Sequence, residues 1–379
     1  MPLIEFAKLV IAFLILGILV IYTVSLSKQT VVYNKTPATK DLSVEEVSNT
    51  ETSMIQELQE IQETIVPEKE IVVMQEEIVA STIPVIPQPV PLIPIQSFLG
   101  INEITRAALV NILCTTTSGG LLNPITGSGV IIDSRGVILT NAHIAQYFLL
   151  RDYPNKDAIE CIIRGGSPAE PLYTAEILHI STEWITDNTS NITNQNPMGT
   201  GVNDYAFLFI TNRINSSEAL PNTFVFIQPD VKESSIIVGN NVLVAGYPAG
   251  FLSGITIQKD LYAVSTISEI MELFTFGDNM LDLISLGGSI TAQKGSSGGA
   301  IVNSNSKLIG VVVTSSDGET TAERDLRAIT LSHIERSLKK NNGFGLEILL
   351  FGDLRVKSNL FNLSTSPALT ELLVNELKQ

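Results

Sequence analysis

The run Gly127-Ser128-Gly129-Val130-Ile131-Ile132-Asp133 turns at Ser134-Arg135-Gly136 and returns as Val137-Ile138-Leu139-Thr140-Asn141-Ala142-His143. Both limbs are apolar and rich in β-branched residues, and a short polar turn joins them, so the stretch reads as a buried β-hairpin. A histidine stands where the hairpin gives way to the next connection. The same texture extends outward from about Ser97 to residue 330. Short runs of Val and Ile, separated by Gly, Asn, Asp and Ser, occupy 110–115, 128–132, 137–141, 159–164, 173–180 and 205–210, then 242–247, 261–270, 281–286, 299–302, 308–314 and 326–330. Six and six, divided by a turn-rich connection at 211–240, predict an all-β fold of two tandem six-stranded antiparallel β-barrels, 98–210 and 241–340. A helix opened by Ser332, with Glu335 completing a capping box, is expected at the end of the second. The asparagine-rich segment 181–203 reads as a surface loop.

Composition narrows the function classes. The chain has 379 residues, 44% hydrophobic, with 39 acidic against 23 basic side chains, a net charge of −16 and two cysteines. Two cysteines supply neither a disulfide scaffold nor a four-cysteine zinc site, so apolar burial must hold the fold. An acidic chain is also poorly matched to a phosphate backbone, and nucleic acid is not expected as a partner. Cys114 and Cys161 fall on strands of the first barrel, and two buried thiols are slightly preferred over a bond between them.

Ahead of the β region the character changes twice. Leu9 to Ser27 is uncharged and long enough for a helix spanning a bilayer, which predicts a membrane anchor at 9–27, in preference to a cleavable signal peptide, after a short cytoplasmic tail, 1–8, with the rest of the chain extracytoplasmic. Residues 28–97 read as a stalk, acidic at first and proline-rich from Pro84. Val47, Met54, Leu58, Ile61 and Ile65 follow a heptad spacing there, through which residues 47–65 could join copies of the chain; a solvated helix or tether is the blander reading. The extension 341–379 ends in an amphipathic segment, Ala368 to Leu377.

Three stretches carry chemistry, in the order His, Asp, Ser. His143 follows Thr140-Asn141-Ala142; Asp204 stands at the mouth of the apolar run Tyr205-Ala206-Phe207-Leu208-Phe209-Ile210; Ser297 lies in Lys294-Gly295-Ser296-Ser297-Gly298-Gly299-Ala300. A serine hydroxyl is a weak nucleophile that needs a neutral imidazole to take its proton, and a carboxylate on the other ring nitrogen orients that imidazole. Of the other histidines, His179 sits within an alternating strand and reads as structural, and His333 falls in the capping box. Asp187 is a weaker rival to Asp204 because polar residues follow it. The Gly-x-Ser-x-Gly pattern also suits an α/β-hydrolase elbow with Asp325 and His333 as partners, but that fold needs alternating strands and helices.

These segments, in this order on a two-barrel pattern, resemble the trypsin-like serine peptidases, and within them the HtrA (DegP-type) branch, whose histidine segment reads Gly-Ser-Gly-Val-Ile-Ile followed by Leu-Thr-Asn-x-His. The stretch Val238 to Pro248 also resembles the family's opening strand of the second barrel. The resemblance covers residues 100–340. It implies a serine endopeptidase with His143 as general base, Asp204 as its orienting carboxylate, Ser297 as nucleophile, and the backbone N–H groups of Gly295 and Ser297 as the oxyanion hole. A protein or peptide is then the substrate and no cofactor is implied. The extension 341–379 is too short for the PDZ domain that HtrA proteins carry. The same resemblance places Thr291 at the floor of the pocket for the side chain preceding the scissile bond, with Val313, Thr314 and Ser315 along its wall. No carboxylate lies between Gly287 and Ser297, so cleavage after small or medium uncharged residues is expected. A catalytically inactive relative, tethered to a membrane as a protein-binding module, is the alternative.

Overall fold

The computed structural model describes residues 98–116, 122–194, 199–277, 279–315 and 320–378. The expected tail, anchor and stalk, 1–97, and with them the heptad at 47–65, lie outside the described residues. Among the described residues no helix is long and apolar enough to cross a membrane.

Helix α1 (Phe98–Ala108) buries Ile101, Thr105 and Ala108, one face at spacings of four and three, and feeds directly into the first barrel. That barrel comprises β1 (Leu109–Thr116), β2 (Ile125–Asp133), β3 (Val137–Thr140), β4 (Ile159–Gly165), β5 (Glu170–Ile180) and β6 (Ala206–Arg213). It is closed, in the order β1-β2-β3-β6-β5-β4, with β4 returning to β1. The quoted hairpin is β2 and β3, pairing Val130 with Leu139 and Ile131 with Ile138. β3 then pairs with β6, Leu139 opposite Phe207 and Thr140 opposite Ala206, which brings the ends of the histidine and aspartate strands together.

Closure between β1 and β4 sets Cys114 directly across from Cys161, and the two form a disulfide rather than the pair of thiols preferred from sequence. The reason is topological. Residues 47 apart in sequence become cross-strand neighbours only when the sheet closes on itself.

The second half departs from the expected six-stranded barrel. It is a half-barrel, a seven-stranded sheet in the order β8-β7-β11-β12-β13-β10-β9. Its strands are β7 (Asn241–Gly246), β8 (Val264–Glu269), β9 (Glu272–Phe274), β10 (Leu283–Ser285), β11 (Ala300–Val302), β12 (Leu308–Ser315) and β13 (Leu326–Thr330). The run 261–270 does not hold as one strand. Its start follows a short helix, Gly254–Lys259, and the chain bends where Ile270 N bonds Asn240 O and Met271 N bonds Ser285 O, so β8 and β9 fall at opposite edges of the sheet.

Alternation buries both faces of this sheet. Val242, Val244, Ile284, Ile301, Ile309 and Val312 enclose a small inner cluster. Leu243, Ala245, Leu283, Ala300, Val302 and Val311 join the main core, which is continuous with the first barrel.

Two further expectations are corrected. The segment 181–203 is not simply a loop: helix α2 (Ala142–Leu149) leaves β3, and α3 (Thr182–Asn188) leaves β5, capped by Ser181 and burying Trp184 and Ile185. Helix α5 (Leu331–Asn342), which follows the short helix α4 (Gly254–Lys259), is capped two residues before the expected position, with Thr330 Oγ1 accepting from His333 N. A hydroxyl two positions earlier satisfies the same orphan donors.

The extension forms α6 (Leu346–Leu350), α7 (Leu354–Ser364) and α8 (Ser366–Leu377), a longer version of the expected last helix. These helices return to the first barrel. Ser358 Oγ and Asn362 Nδ2 donate to Ile177 O at 2.9 and 2.8 Å, and Thr370 Oγ1 donates to Leu149 O at 3.0 Å, so α8 braces α2.

Candidate active site

β3 ends at Thr140 and α2 begins at Ala142, with Asn141 as the cap between them. The Asn141 side chain does not cap the helix; its amide donates to Asp204 O at 2.8 Å, tying the start of α2 to the segment that enters β6. His143 therefore lies in a first helical turn facing Asp204. Its backbone N–H donates to Asp204 Oδ1 at 3.0 Å, and its Nδ1 lies 2.7 Å from Oδ2. A carboxylate at a helix N-terminus is favoured by the unpaired N–H groups there. Asp204 is buried, while the His143 side chain keeps about a quarter of its surface exposed, 26%. This leaves Nε2 as the ring atom available to a substrate or nucleophile.

Ser297 is presented by a turn that few residues other than glycine permit. Gly295 and Gly298 have φ of +93° and +82°, and a Cβ on Gly298 would stand 2.1 Å from Ser128 O. The Lys294 carbonyl accepts from Ala249 N at 2.7 Å. Because the peptide is trans and planar, the Gly295 N–H on the other side of that unit points away from Ala249. Ser128 fastens this turn to the first barrel: its hydroxyl donates to Gly295 O at 2.7 Å and accepts from Tyr247 N at 2.8 Å, while its own N–H donates to Ser297 O at 2.7 Å. Gly298 N completes the frame by donating to Val312 O.

His143, Asp204, Gly295 and Ser297 line one cleft of about 1030 Å³ between the two halves. No hydrogen bond joins His143 to Ser297, a looseness common in sites without substrate. Val313 lines the cleft beside Val312 and Leu326. Thr314 and Ser315 belong to β12, and their side chains lie outside the described residues. Thr291 is not brought to the cleft. It is fully buried, with its hydroxyl 2.8 Å from Ser289 Oγ and its N–H also turned to that oxygen, so the turn 289–293 closes on itself. Asp187, the weaker rival, is the one carboxylate besides Asp204 among the residues lining the cleft. The alternative set of Ser297, Asp325 and His333 is not assembled. His333 pairs with Asp282 instead, and Asp325 accepts from Arg327 Nε at 2.8 Å.

Three contributors escaped the sequence reading. Trp184, the only tryptophan of the chain, packs its ring 6.4 Å from that of His143 and walls one side of the cleft. Its place after Ser181, a cap residue, was the available signal. Ser128 looks in sequence like a hairpin residue, and its link to Gly295 spans 167 positions. Asn203, which lines the cleft next to Asp204, has φ of +56° and had no local signal. His179 is buried between Tyr205 and Phe361; burial lowers its pKa to about 4, so it stays neutral at ordinary pH.

The family model described as the trypsin-like peptidase domain matches residues 127–311. Among solved structures, the chain is similar to Deg5, at 17% identity and a TM-score of 0.42, over 65% of this chain and 95% of that one. It is also similar to the serine endoprotease from Yersinia pestis, at 19% identity and a TM-score of 0.40, over 65% of this chain and 68% of that one. A comparison with curated proteins finds no match.

Proposed function

Starting from a chain that carries a trypsin-like peptidase domain over residues 127–311, we propose a serine endopeptidase of the HtrA type whose triad is His143, Asp204 and Ser297. The observation that carries the reading is the convergence, in one cleft, of the His143–Asp204 pair at 2.7 Å and of Ser297 in a glycine turn.

The chemistry follows from that placement. Ser297 Oγ bonds to the scissile carbonyl carbon as His143 Nε2 takes its proton, and the carbonyl oxygen gains the negative charge. The N–H groups of Gly295 and Ser297 receive that oxyanion, a contribution of roughly 3–4 kcal/mol per donor. Asp204 accepts from Nδ1–H, which keeps Nε2 free as the base and stabilises the imidazolium. Collapse breaks the C–N bond, Nε2 returns its proton to the leaving amine, and an acyl-enzyme remains. Water then repeats the sequence and releases the acid.

Val312, Val313 and Leu326 supply apolar wall to the cleft. That surface supports cleavage after Ala, Val, Thr or Leu rather than after Arg or Lys, which would be buried there without a countercharge. The proposal keeps the anchor at 9–27, with the peptidase domain extracytoplasmic.

The deciding assay is hydrolysis of a peptide library by the full chain. Ser297→Ala and His143→Ala should each abolish turnover, and the double variant should be hardly worse, because the pair acts as a unit. Turnover that survives either single change sinks the triad. Absence of turnover in the folded wild type favours a tethered binding module instead.

A further inference from the structure

The Asp204 carboxylate is met by two donors among the described residues, and both belong to His143. No third group aims it, so its direction is set through the backbone of Asp204. Helix α5, from the other half of the molecule, holds that backbone on both sides. Asn203, just before Asp204, sits in a left-handed conformation that asparagine tolerates better than most residues. Its side-chain oxygen accepts from Ser337 Oγ at 2.8 Å and lies 3.2 Å from His333 Nε2. Tyr205, just after Asp204, places its hydroxyl 2.9 Å from the same Ser337 Oγ.

The direction of this chain of bonds is constrained. Asn203 Oδ1 can only accept, so Ser337 gives it its one hydrogen and the Tyr205 hydroxyl, whose pKa burial raises, is left to donate to Ser337. His333 is itself anchored. Its Nδ1 lies 2.7 Å from Asp282 Oδ1, an oxygen that Arg336 Nη2 also reaches at 2.6 Å, while Phe276 N donates to Oδ2 at 2.7 Å. Two residues one turn apart on α5 thus converge on the flanks of Asp204.

We infer that Ser337 and His333 are positioning residues of the peptidase site, which bracket Asp204 through Tyr205 and Asn203 and so fix the angle at which its carboxylate meets His143. The inference rests on the reading of His143, Asp204 and Ser297 as a working triad. It makes the dyad of the first barrel depend on a helix of the second half.

The test measures the rate constant for phosphonylation of Ser297 by a fluorophosphonate in the full chain. Wild type, Ser337→Ala, Ser337→Thr and His333→Gln are compared, each alone and combined with Asp204→Asn, with thermal melting of every variant. Loss of one well-placed hydrogen bond should slow Ser337→Ala about tenfold. Ser337→Thr keeps a hydroxyl and should restore most of the rate. In the Asp204→Asn background the same change should cost less than about twofold, since the carboxylate it aims is gone. An equal cost in both backgrounds, or an unchanged rate in folded Ser337→Ala, overturns the inference. If Ser337→Ala does not fold, His333→Gln carries the same comparison, and failure of both to fold makes the bracket structural and overturns it as well. A folded wild type inert to the reagent overturns the triad reading itself, which the variants then cannot rescue.

Discussion

The described residues contain two histidine–aspartate pairs with the same short contact, and their surroundings differ. His143 and Asp204 meet at 2.7 Å, as do His333 and Asp282. The first histidine leaves part of its ring in a cleft that also holds Ser297. The second is sealed: Phe276 stacks edge-on at 5.0 Å, Arg336 shares its carboxylate, and its remaining nitrogen faces Asn203. A paired imidazole is therefore not yet a site. What distinguishes the first pair is an open Nε2 and a serine hydroxyl, that of Ser297, in the same cleft; what distinguishes the second is that every polar atom it presents is used within the fold.

That contrast can be broken most strongly at Asp204. Asp204→Asn should leave the backbone in place yet lower kcat by about four orders of magnitude, because the wrong tautomer of His143 is favoured. Its melting temperature should stay close to that of the wild type, and steady-state hydrolysis together with a melt checks both halves of the statement.

The second pair should respond in the opposite sense. Burial pushes the Asp282 carboxyl up, but hydrogen bonds from His333, Phe276 N and Arg336, with the charge of His333, outweigh it and hold it below the ordinary carboxylate range. Asp282→Ala takes the carboxylate from buried His333, whereas Arg336 keeps its pair with Glu233, and should cost about 1–3 kcal/mol of stability. The loss of rate should be far smaller than for Asp204→Asn. Urea unfolding measures the first quantity, and a stability change under about 1 kcal/mol would show that the sealed pair is not what holds α5 in place.

His179 sharpens the comparison as a histidine with no carboxylate partner among the described residues. Its Nε2 is buried there without a hydrogen bond, and burial lowers its pKa to about 4 against the usual 6.5. The unfolded chain then binds the proton more readily than the folded one between these values, so stability falls as pH drops from about 6.5 to about 4. The integrated loss is roughly 3 kcal/mol. Unfolding curves across that range should show the loss in the wild type and a smaller one in His179→Phe.

How much of this was legible in the sequence differs by element. Strand alternation and the three motif stretches are local patterns, and β3, which leads to His143, pairs with β6, which follows Asp204. Features that depend on closure were not legible. The disulfide requires β1 to meet β4, and the break in 261–270 depends on which edge each half can reach. The helix at Thr182–Asn188 hid behind an asparagine-rich composition, although Trp184 and Ile185 supply its buried face. His333 was read as a capping-box residue because its other partners, Asp282 and Asn203, lie 51 and 130 positions away. Thr291 was placed by counting back from Ser297, a count blind to the turn that folds its hydroxyl onto Ser289.

The measurement that bears most directly on the central claim is intact-mass and peptide-level mass spectrometry of the full chain after exposure to a fluorophosphonate. The account predicts one adduct, on Ser297, formed quickly in the wild type and absent from Ser297→Ala and His143→Ala. A folded wild type that stays unlabelled, or an adduct on any residue other than Ser297, would contradict it.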